Sequence, residues 1–287
     1  MGNIFLHIVA LLPLPLAHLF GWLLGLIFFL LPNRHRRISR INIDLCFPER
    51  SWLWRHWLLL RSLVETGKTA MESPRLWLAH RNGLFSLIRE VNGLANVEEA
   101  LNLGKGVIII GPHLGSWELV SLYCSANHTI TSLYRPLRHG GLEELVINGR
   151  NRLGAKLVPT DAHGVRELAR ALKNNELIGI PPDQDPRDAG GLFAPFFGIK
   201  TNTITLASRL ALKSGARQIF CVAERLSWGR GFKIHFEPIE IAEGADIEQH
   251  LRAINHKVET MVQRTPQQYQ WSYKRFRTRP EGEKELY

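Results

Sequence analysis

Cysteine is scarce in this sequence, and none of its cysteines has the spacing of a redox or metal motif. The 287 residues include three, Cys46, Cys124 and Cys221, which are far apart and odd in number, and no CxxC pair is present. These absences argue against a zinc or disulfide framework and fit small buried thiols in a reducing compartment.

Common catalytic and nucleotide-binding loops are absent too. The sequence contains no GxSxG elbow, no Walker A loop and no GxGxxG turn, and no cysteine lies in a setting typical of a nucleophile. Covalent catalysis by serine or cysteine is therefore disfavoured. The remaining possibility is that a group is transferred directly to an acceptor, which a general base activates.

Charged residues are missing from Ile4 to Leu31, a run without Asp, Glu, Lys or Arg. About 20 apolar residues cross a bilayer core, so we predict that residues 1–33 form an N-terminal membrane anchor. Pro13 and Pro15 interrupt the run, which leaves open a kinked span or two shorter membrane-embedded helices. A cleaved signal peptide is the competing interpretation, but the run lacks a basic n-region and a small-residue cleavage site.

Acidic residues are outnumbered by basic ones, 26 to 36, and the formal net charge is +10. Such a charge suits nucleic acid, anionic lipid headgroups or an acidic protein. Arg34, Arg36, Arg37 and Arg40 directly follow the uncharged run. Their position predicts that residues 34–287 face the cytoplasm with these arginines at anionic headgroups, unless they lie on a solvated helix face.

Two stretches are rich in aromatic residues. The first contains four tryptophans, Trp52, Trp54, Trp57 and Trp77. We expect some of them to lie at the membrane interface; the alternative is ordinary core packing. The stretch from Gln268 to Pro280 interleaves aromatics with lysine and arginine, a pattern that in isolation suits nucleic acid. Beside a membrane anchor, anionic lipid is the favoured ligand, and no nucleic acid partner is expected.

From Gly104 onward, short apolar strands alternate with helical stretches. The predicted strands are Val107–Ile110, Ile130–Tyr134, Ala155–Val158, Leu177–Ile180, Gln218–Ala223 and Phe232–Phe236. The predicted helices are Ser116–Ser125, Leu142–Arg152, Gly164–Lys173 and Thr203–Lys213. This alternation predicts an α/β fold with a mostly parallel sheet flanked by helices. Functional residues of such folds lie at the carboxyl ends of strands, where His113, Arg135 and Asp183 are found.

The stretch from Val107 to Leu119 combines an apolar strand, a Gly-Pro turn and the start of a helix. His113 lies in the turn and Glu118 in the first helical turn, so the imidazole can fold back onto the carboxylate. Such a pair acts as a general base held by an acid, and the helix N-terminus keeps a nearby imidazole neutral. The alternative is that His113 satisfies a turn carbonyl while Glu118 complements the helix dipole.

Further polar residues follow other predicted elements. Arg135, Arg150 and Arg152 are candidate contacts for phosphate or phosphopantetheine, because guanidinium groups bind phosphate bidentately, although single arginines are often surface charges. Asp183 and Asp185 lie on a proline-rich loop but lack further ligands, so no metal is expected. Asp183 is predicted to orient an acceptor or to anchor the loop by accepting backbone hydrogen bonds.

Taken together, several motifs resemble the lipid A biosynthesis late acyltransferases, the lauroyl and myristoyl transferases of Gram-negative bacteria. These motifs are GPHLGSWE, YRP, GRNRLG, PPDQDP followed by FAPFFG, and QYQWSYKRFRTRP. The resemblance covers nearly the whole chain, including the uncharged run and the NIDLCFP stretch after it. An H-x4-E or H-x4-D pair alone is shared with glycerol-phosphate acyltransferases, but the acceptor motif of those enzymes is replaced here by PPDQDP.

The resemblance implies a glycerol-phosphate-acyltransferase-like α/β fold, anchored at the bacterial inner membrane with the catalytic domain on the cytoplasmic face. It implies acyl–acyl carrier protein as the donor, a Kdo-bearing lipid A precursor as the acceptor, and no cofactor. His113 and Glu118 match the catalytic pair of the family. Asp183 and Arg150 match positions that the family uses around the donor or acceptor.

The expected mechanism is general base catalysis. His113 Nε2 removes a proton from the hydroxyl of an acyl chain on the acceptor while Glu118 holds the ring, and backbone N–H groups near Gly115 to Trp117 stabilise the oxyanion. Two other functions are left open. One is acylation of another membrane lipid, such as a lysophospholipid or glycolipid, and the other is non-catalytic binding of lipid or carrier protein.

Overall fold

The computed structural model describes residues 2–134, 140–187 and 190–287. The chain begins with helices only: α1 (Gly2–Leu11), α2 (Leu14–Leu30), α3 (Arg34–Cys46), α4 (Trp52–Leu78) and the short α5 (Arg81–Phe85). Pro13 separates α1 from α2 because proline removes a backbone donor and ends the preceding helix. The uncharged N-terminal run therefore forms two helices.

Strands and helices then alternate. The strands are β1 (Ile88–Asn92), β2 (Val107–Ile110), β3 (Ile130–Tyr134), β4 (Lys156–Pro159), β5 (Leu177–Ile180), β6 (Gly191–Phe196), β7 (Ile199–Ile204), β8 (Arg217–Arg225) and β9 (Phe232–Pro238). The helices among and after them are α6 (Leu94–Leu101), α7 (Trp117–Asn127), α8 (Gly140–Asn151), α9 (Ala162–Lys173), α10 (Leu206–Ser214) and α11 (Ile247–Arg264).

Seven strands form one sheet in the order β1-β9-β8-β2-β5-β3-β4. The five strands from β8 to β4 run parallel to one another, and β9 pairs with β8 in the antiparallel sense. Strands β6 and β7 form a separate hairpin. The predicted α/β fold with a mostly parallel sheet is therefore confirmed.

Both faces of the sheet are buried, as expected for a parallel sheet flanked by helices. Alternate residues of β2 enter two hydrophobic clusters: Ile108 and Ile110 pack with residues of α9, α10 and α11. Val107 and Ile109 pack with residues of α6 and α7. Such a sheet holds the loops at its carboxyl ends on a rigid frame.

All six predicted strands are present, although several bounds differ by one or two residues. The sequence analysis missed β1 and the β6–β7 hairpin. The helix predicted from Thr203 is wrong at its start, because Thr203 lies in β7 and pairs with Leu192. Ile199, Thr201 and Thr203 place a β-branched residue at every second position of Ile199–Ile204, which gives that segment a strand preference.

Helices α2 and α4 pack closely along each other. A Cβ atom built on Gly67 of α4 would lie 2.1 Å from the carbonyl oxygen of Gly21 in α2, so only glycine permits this backbone approach. The opposite face of α2 is apolar and exposed at Leu16, Leu19, Phe20, Trp22, Leu23 and Ile27. Helix α2 therefore has one face committed to the fold and one apolar face outside it.

Within the described ranges, no single helix is long and apolar enough to cross a bilayer. Helices α2 and α3 meet that requirement only as a pair bent by 79°. The membrane anchor at residues 1–33 stays a prediction. Trp52 and Trp57 of α4 are exposed, as the prediction of interfacial tryptophans requires, whereas Trp54 packs against Phe47.

Candidate functional site

His113 lies where two neighbouring strands end. It follows β2, Asp183 follows β5, and these strands pair in parallel register, so the sheet brings the two residues together. The imidazole Nδ1 of His113 is 2.8 Å from Oδ1 of Asp183, and the backbone N–H of His113 donates to Oδ2 at 2.8 Å. A carboxylate only accepts, so Nδ1 carries the hydrogen and Nε2 is left with a lone pair.

Asp183 is buried, with 4 % of its surface exposed. Burial raises the pKa of its carboxyl group, but the His113 charge and the hydrogen bonds from His113 outweigh burial and hold the pKa below its ordinary value. The group is therefore a carboxylate at neutral pH. It fixes the ring of His113 and stabilises an imidazolium there.

The second ring nitrogen of His113 faces the open side of the site. Its Nε2 atom lies 3.2 Å from Nε2 of Gln184, which is exposed, so the Gln184 amide donates to the lone pair. The Trp117 ring lies beside the imidazole, with 5.3 Å between ring centroids. An acceptor hydroxyl that reaches Nε2 must therefore take the place of the Gln184 amide.

Glu118 does not hold the His113 ring, which corrects the sequence interpretation. Its carboxylate accepts two hydrogen bonds from the Arg150 guanidinium, one of them from Nε at 2.9 Å, and a third from Trp77 Nε1 at 3.0 Å. Glu118 is at the start of α7 and reaches toward α8 and the end of α4, while Asp183 of the neighbouring strand occupies the donor nitrogen of His113.

The Glu118–Arg150 pair is charged. Burial raises the pKa of Glu118, but the Arg150 hydrogen bonds and charge outweigh it and lower the pKa overall. Burial lowers the pKa of Arg150, and the Glu118 carboxylate reverses this and raises it. A bidentate pair of this kind holds the guanidinium plane in one orientation beside the site.

The other two predicted arginine contacts have different outcomes. Arg152 donates to the carbonyls of Leu76 and Ala79 and so caps the end of α4. It also lines a cleft of about 580 Å³ between α4 and α8, and Trp77 separates this cleft from Glu118. Its role in substrate binding stays a prediction, and Arg135 lies outside the described residues.

The turn that carries His113 is clamped by the C-terminal segment. Leu114 forms a β-bridge with Tyr269, and the N–H of Gln270 donates to the His113 carbonyl at 3.0 Å. The N–H groups of Gly115 and Ser116 donate to the carbonyls of Gln268 and Ala223.

These bonds alter the predicted oxyanion site. The amides of Gly115 and Ser116 are occupied, so their predicted role is wrong, because the clamp uses both donors. In the described part of the chain, the N–H groups of Trp117 and Glu118 donate no hydrogen bond, since they lie at the start of α7, where backbone donors are typically free.

The basic and aromatic C-terminal stretch is mostly interior. Trp271 and Phe276 are fully buried, and Arg275 is 2 % exposed and donates to the Asn202 carbonyl and to Thr203 Oγ1. Its predicted role as a lipid-binding surface is wrong for these residues, because they complete the core. All the arginines of this stretch lie in the described part of the chain, and only Arg277 is exposed.

Asp185 also has a structural role. Its carboxylate accepts from Asn202, from the N–H of Arg187 and from Thr278, which ties the loop after β5 to the hairpin and the C-terminal segment. Among the described residues, no group of three or more His, Cys, Asp or Glu side chains is placed to hold a metal ion.

Sequence reasoning missed two neighbours of the candidate site, Gln184 and Trp77. Gln184 lies in the PPDQDP loop beside Asp183, so its position next to a predicted functional residue was the available signal. Trp77 is distant in sequence from Glu118, and no local pattern indicated their contact.

The fold and site define an α/β enzyme with a histidine–aspartate pair suited to general-base chemistry at the carboxyl end of a central strand. Comparison with known proteins then identifies the family. Residues 1–278 match the family model described as bacterial lipid A biosynthesis acyltransferase, and the chain belongs to this family. It is therefore an acyltransferase.

Individual relatives agree with the family match. The chain is 29% identical to a lipid A biosynthesis palmitoleoyltransferase of Escherichia coli strain K12 over 280 residues, which cover 96% of this chain and 90% of the relative. It is 27% identical to a lipid A biosynthesis lauroyltransferase of the same strain over 279 residues, with the same coverage. A phosphatidylinositol mannoside acyltransferase of Mycobacterium tuberculosis is 28% identical over 180 residues, 60% of this chain and 56% of the relative.

Proposed function

We propose that this protein transfers a fatty acyl chain from acyl–acyl carrier protein to a hydroxyl group of a lipid A precursor at the cytoplasmic face of the inner membrane. The observation that carries the proposal is the His113–Asp183 pair, with its second ring nitrogen reachable from the open side, in a member of the lipid A acyltransferase family.

The base in this mechanism is His113. Its Nε2 takes the proton of the acceptor hydroxyl after that hydroxyl has replaced the Gln184 amide. Asp183 stabilises the resulting imidazolium through the hydrogen bond to Nδ1. Asp183 thus takes the role that the sequence analysis assigned to Glu118.

The activated hydroxyl oxygen attacks the thioester carbonyl of the donor. A carbon–oxygen bond forms, the carbon–sulfur bond breaks, and the carrier thiolate leaves with the proton from His113 Nε2. The N–H groups of Trp117 and Glu118, at the positive end of α7, are the donors best placed for the transient oxyanion.

Glu118 and Arg150 then serve to position substrate. A guanidinium held by a buried carboxylate offers its remaining N–H groups to phosphate or carbonyl oxygen without rotating away. The neighbouring cleft of about 580 Å³ is lined by His80, Arg81 and Arg152 together with one carboxylate, Glu144, so its wall is mainly basic and suited to an anionic sugar headgroup.

Attachment to the membrane would use the N-terminal helices. Besides the apolar face of α2, Trp52 and Trp57 of α4 are exposed, and apolar faces accompanied by aromatic rings favour a lipid interface. The exposed Arg34, Arg37 and Arg40 of α3 provide charge complementary to anionic lipid headgroups.

The decisive experiment incubates purified protein in detergent with acyl–acyl carrier protein and a Kdo-bearing lipid A precursor. Mass spectrometry of the lipid should reveal a mass increase of one acyl chain, and His113→Ala should abolish most of it. An unmodified precursor with every donor chain length offered would overturn the proposal, as would full turnover by the His113→Ala variant.

A second acceptor class is favoured by one observation. The similarity to a phosphatidylinositol mannoside acyltransferase spans 180 residues at 28% identity, so acylation of another membrane glycolipid is the alternative. Offering a phosphatidylinositol mannoside and a lysophospholipid in the same assay separates the possibilities. A binding module without catalysis would retain carrier protein or lipid and acylate neither.

A further inference from the structure

A buried ionic network lies between the N-terminal helices and the sheet. Arg225, at the end of β8, has a side chain that is 1% exposed. Its Nε and Nη2 donate to the two carboxylate oxygens of Glu72 at 2.8 and 2.6 Å, and Nη1 donates to Glu65 at 2.8 Å. Nη2 also donates to Thr69 Oγ1 at 2.9 Å. Most guanidinium donors are thus committed to α4.

One end of this network reaches the catalytic turn. Arg225 Nη2 donates to the carbonyl oxygen of Gly115 at 3.3 Å, the longest of its contacts. The same peptide group donates through the N–H of Ser116 to the Ala223 carbonyl at 2.8 Å. Gly115 has a φ of 64°, and a Cβ there would lie 2.2 Å from the Ala223 carbonyl oxygen. The peptide between His113 and α7 is therefore held from both sides.

The other end reaches the N-terminal helix α2. His18 is buried, and its Nε2 lies 2.8 Å from Glu72 Oε2. Since a carboxylate only accepts, His18 Nε2 is the donor. The same oxygen accepts from Arg225 Nε, so the position of Glu72, and with it that of Arg225, depends on both donors.

We propose that His18 is a positioning residue for acyl transfer. It acts through Glu72 and Arg225 on the Gly115 carbonyl, and so helps to orient the Gly115–Ser116 peptide, which joins the His113 turn to the free amides at the start of α7. This inference rests on the proposed acyl transfer. Helix α2 then has two roles: its buried face supports the active site through His18, and its other face is apolar and exposed.

The chemistry of the network explains why His18 matters at a distance. Without His18, Glu72 loses its donor from α2 and keeps the Arg225 donors, so the carboxylate and the guanidinium paired with it shift away from α2 together. The Gly115 contact is the longest in the chain of bonds and is the first to be lost. Displacement of a catalytic group by about 1 Å costs on the order of 100-fold in rate.

The test compares His18→Ala, His18→Gln and His250→Ala in the full-length protein. The Gln amide nitrogen can replace the Nε2 donor. His250 is the matched control, because it is also buried and hydrogen-bonded, to Gln218 at 3.0 Å. Gln218 pairs with Ile108 near the start of β2, and His113 follows the other end of that strand.

We expect His18→Ala to lower kcat between about 10- and 100-fold with KM for donor and acceptor within about twofold. His18→Gln should restore most of kcat. His250→Ala should lower Tm comparably and leave kcat unchanged. Hydrogen exchange of the segment 113–119 should accelerate in His18→Ala only, which separates repositioning of the turn from loss of stability.

Wild-type kcat and unchanged exchange in a folded His18→Ala enzyme would overturn the inference while leaving acyl transfer intact. Equal kcat losses in His18→Ala and His250→Ala at equal Tm would also overturn it. If His18→Ala does not fold, His18→Gln decides: a folded Gln variant with kcat below one tenth of wild type counts against the donor role. Absence of transfer by the wild-type enzyme would overturn the proposed function itself.

Discussion

Asp183 binds His113 twice, through the ring nitrogen Nδ1 and through the backbone N–H, each at 2.8 Å. One buried carboxylate therefore fixes both the imidazole and the peptide from which it extends. The turn cannot rotate about either without breaking a charge-assisted hydrogen bond. This arrangement leaves Nε2 as the one ring nitrogen available to a substrate.

Loss of this carboxylate should disable the base. We expect Asp183→Asn to lower kcat by about 10²–10⁴-fold, close to His113→Ala, because the two residues act as a unit. The double variant should be little worse than either single one. Asp246→Asn is the control, since Asp246 caps α11 and does not contact His113. A fully active Asp183→Asn enzyme beside an inactive Glu118→Gln enzyme would return the ring-holding role to Glu118.

Removal of the Gln184 amide should favour the acceptor. Gln184→Ala leaves Nε2 of His113 without its resting partner, so the acceptor hydroxyl has no hydrogen bond to displace. A typical net hydrogen bond of about 1 kcal/mol predicts a several-fold lower acceptor KM at unchanged Tm. Steady-state kinetics with varied acceptor measures this. A higher KM would mean instead that Gln184 contacts the bound acceptor.

The exposed face of α2 should decide lipid binding. Leu19→Glu combined with Leu23→Glu places two charges on half-exposed side chains that belong to neither described core cluster, so Tm should hold while binding to phosphatidylglycerol vesicles falls. Leu212→Glu, on an equally exposed leucine of α10, should bind vesicles as wild type does. Cosedimentation gives the bound fractions. Equal binding by both variants would contradict attachment through α2.

Acid should destabilise the protein through Glu72. Burial raises the pKa of Glu72, but the Arg225 charge and hydrogen bonds and His18 outweigh it and lower the pKa from 4.5 to about 2. The unfolded chain takes up a proton near pH 4.5 and the folded protein only near pH 2, so the associated stability is present above pH 4.5 and is lost as pH falls toward 2. Chemical denaturation over this range should reveal the loss.

The matched control for that measurement is Glu90→Gln. Glu90 pairs with Lys233 on the surface, so its replacement should leave the acid slope almost unchanged, whereas Glu72→Gln should flatten it. Glu72→Gln should also be less stable at neutral pH, because it leaves the Arg225 charge buried with fewer partners. An unaltered acid slope in a folded Glu72→Gln protein would rule out Glu72 as its source.

The parts of this molecule that follow local rules could be predicted from the sequence. The apolar strand 107–110 and the Gly-Pro turn place His113 at a strand end, and parallel pairing explains why Asp183 lies beside it. The partner of His113 could not be chosen from H-x4-E spacing, since Glu118 is near in sequence but Asp183 is nearer in space.

Long-range contacts account for what was missed. The aromatic and basic C-terminal stretch has the composition of a surface patch, yet Arg275 is satisfied by Asn202 and Thr203 inside the core. Likewise His18 lies in an uncharged run typical of a membrane anchor, and only the packing of α2 on α4 brings it to Glu72. Neither contact has a local signature in the chain.

Association with the donor should depend on salt. The protein has a net charge of +10, and an acidic carrier protein approaching it should be steered electrostatically. The Debye length is about 8 Å at 0.15 M salt and about 3 Å at 1 M, so this steering fades as salt is added.

We expect kcat/KM for acyl–acyl carrier protein to fall steeply with ionic strength while kcat at saturating donor holds, because the His113–Asp183 pair is shielded by burial. An acyl-pantetheine thioester lacks the acidic carrier and should be a poor donor that is nearly insensitive to salt. Both donors are compared over one salt series in fixed detergent, so that presentation of the acceptor cancels. An equal response of the two donors would assign the basic charge to the membrane and the phosphorylated acceptor instead.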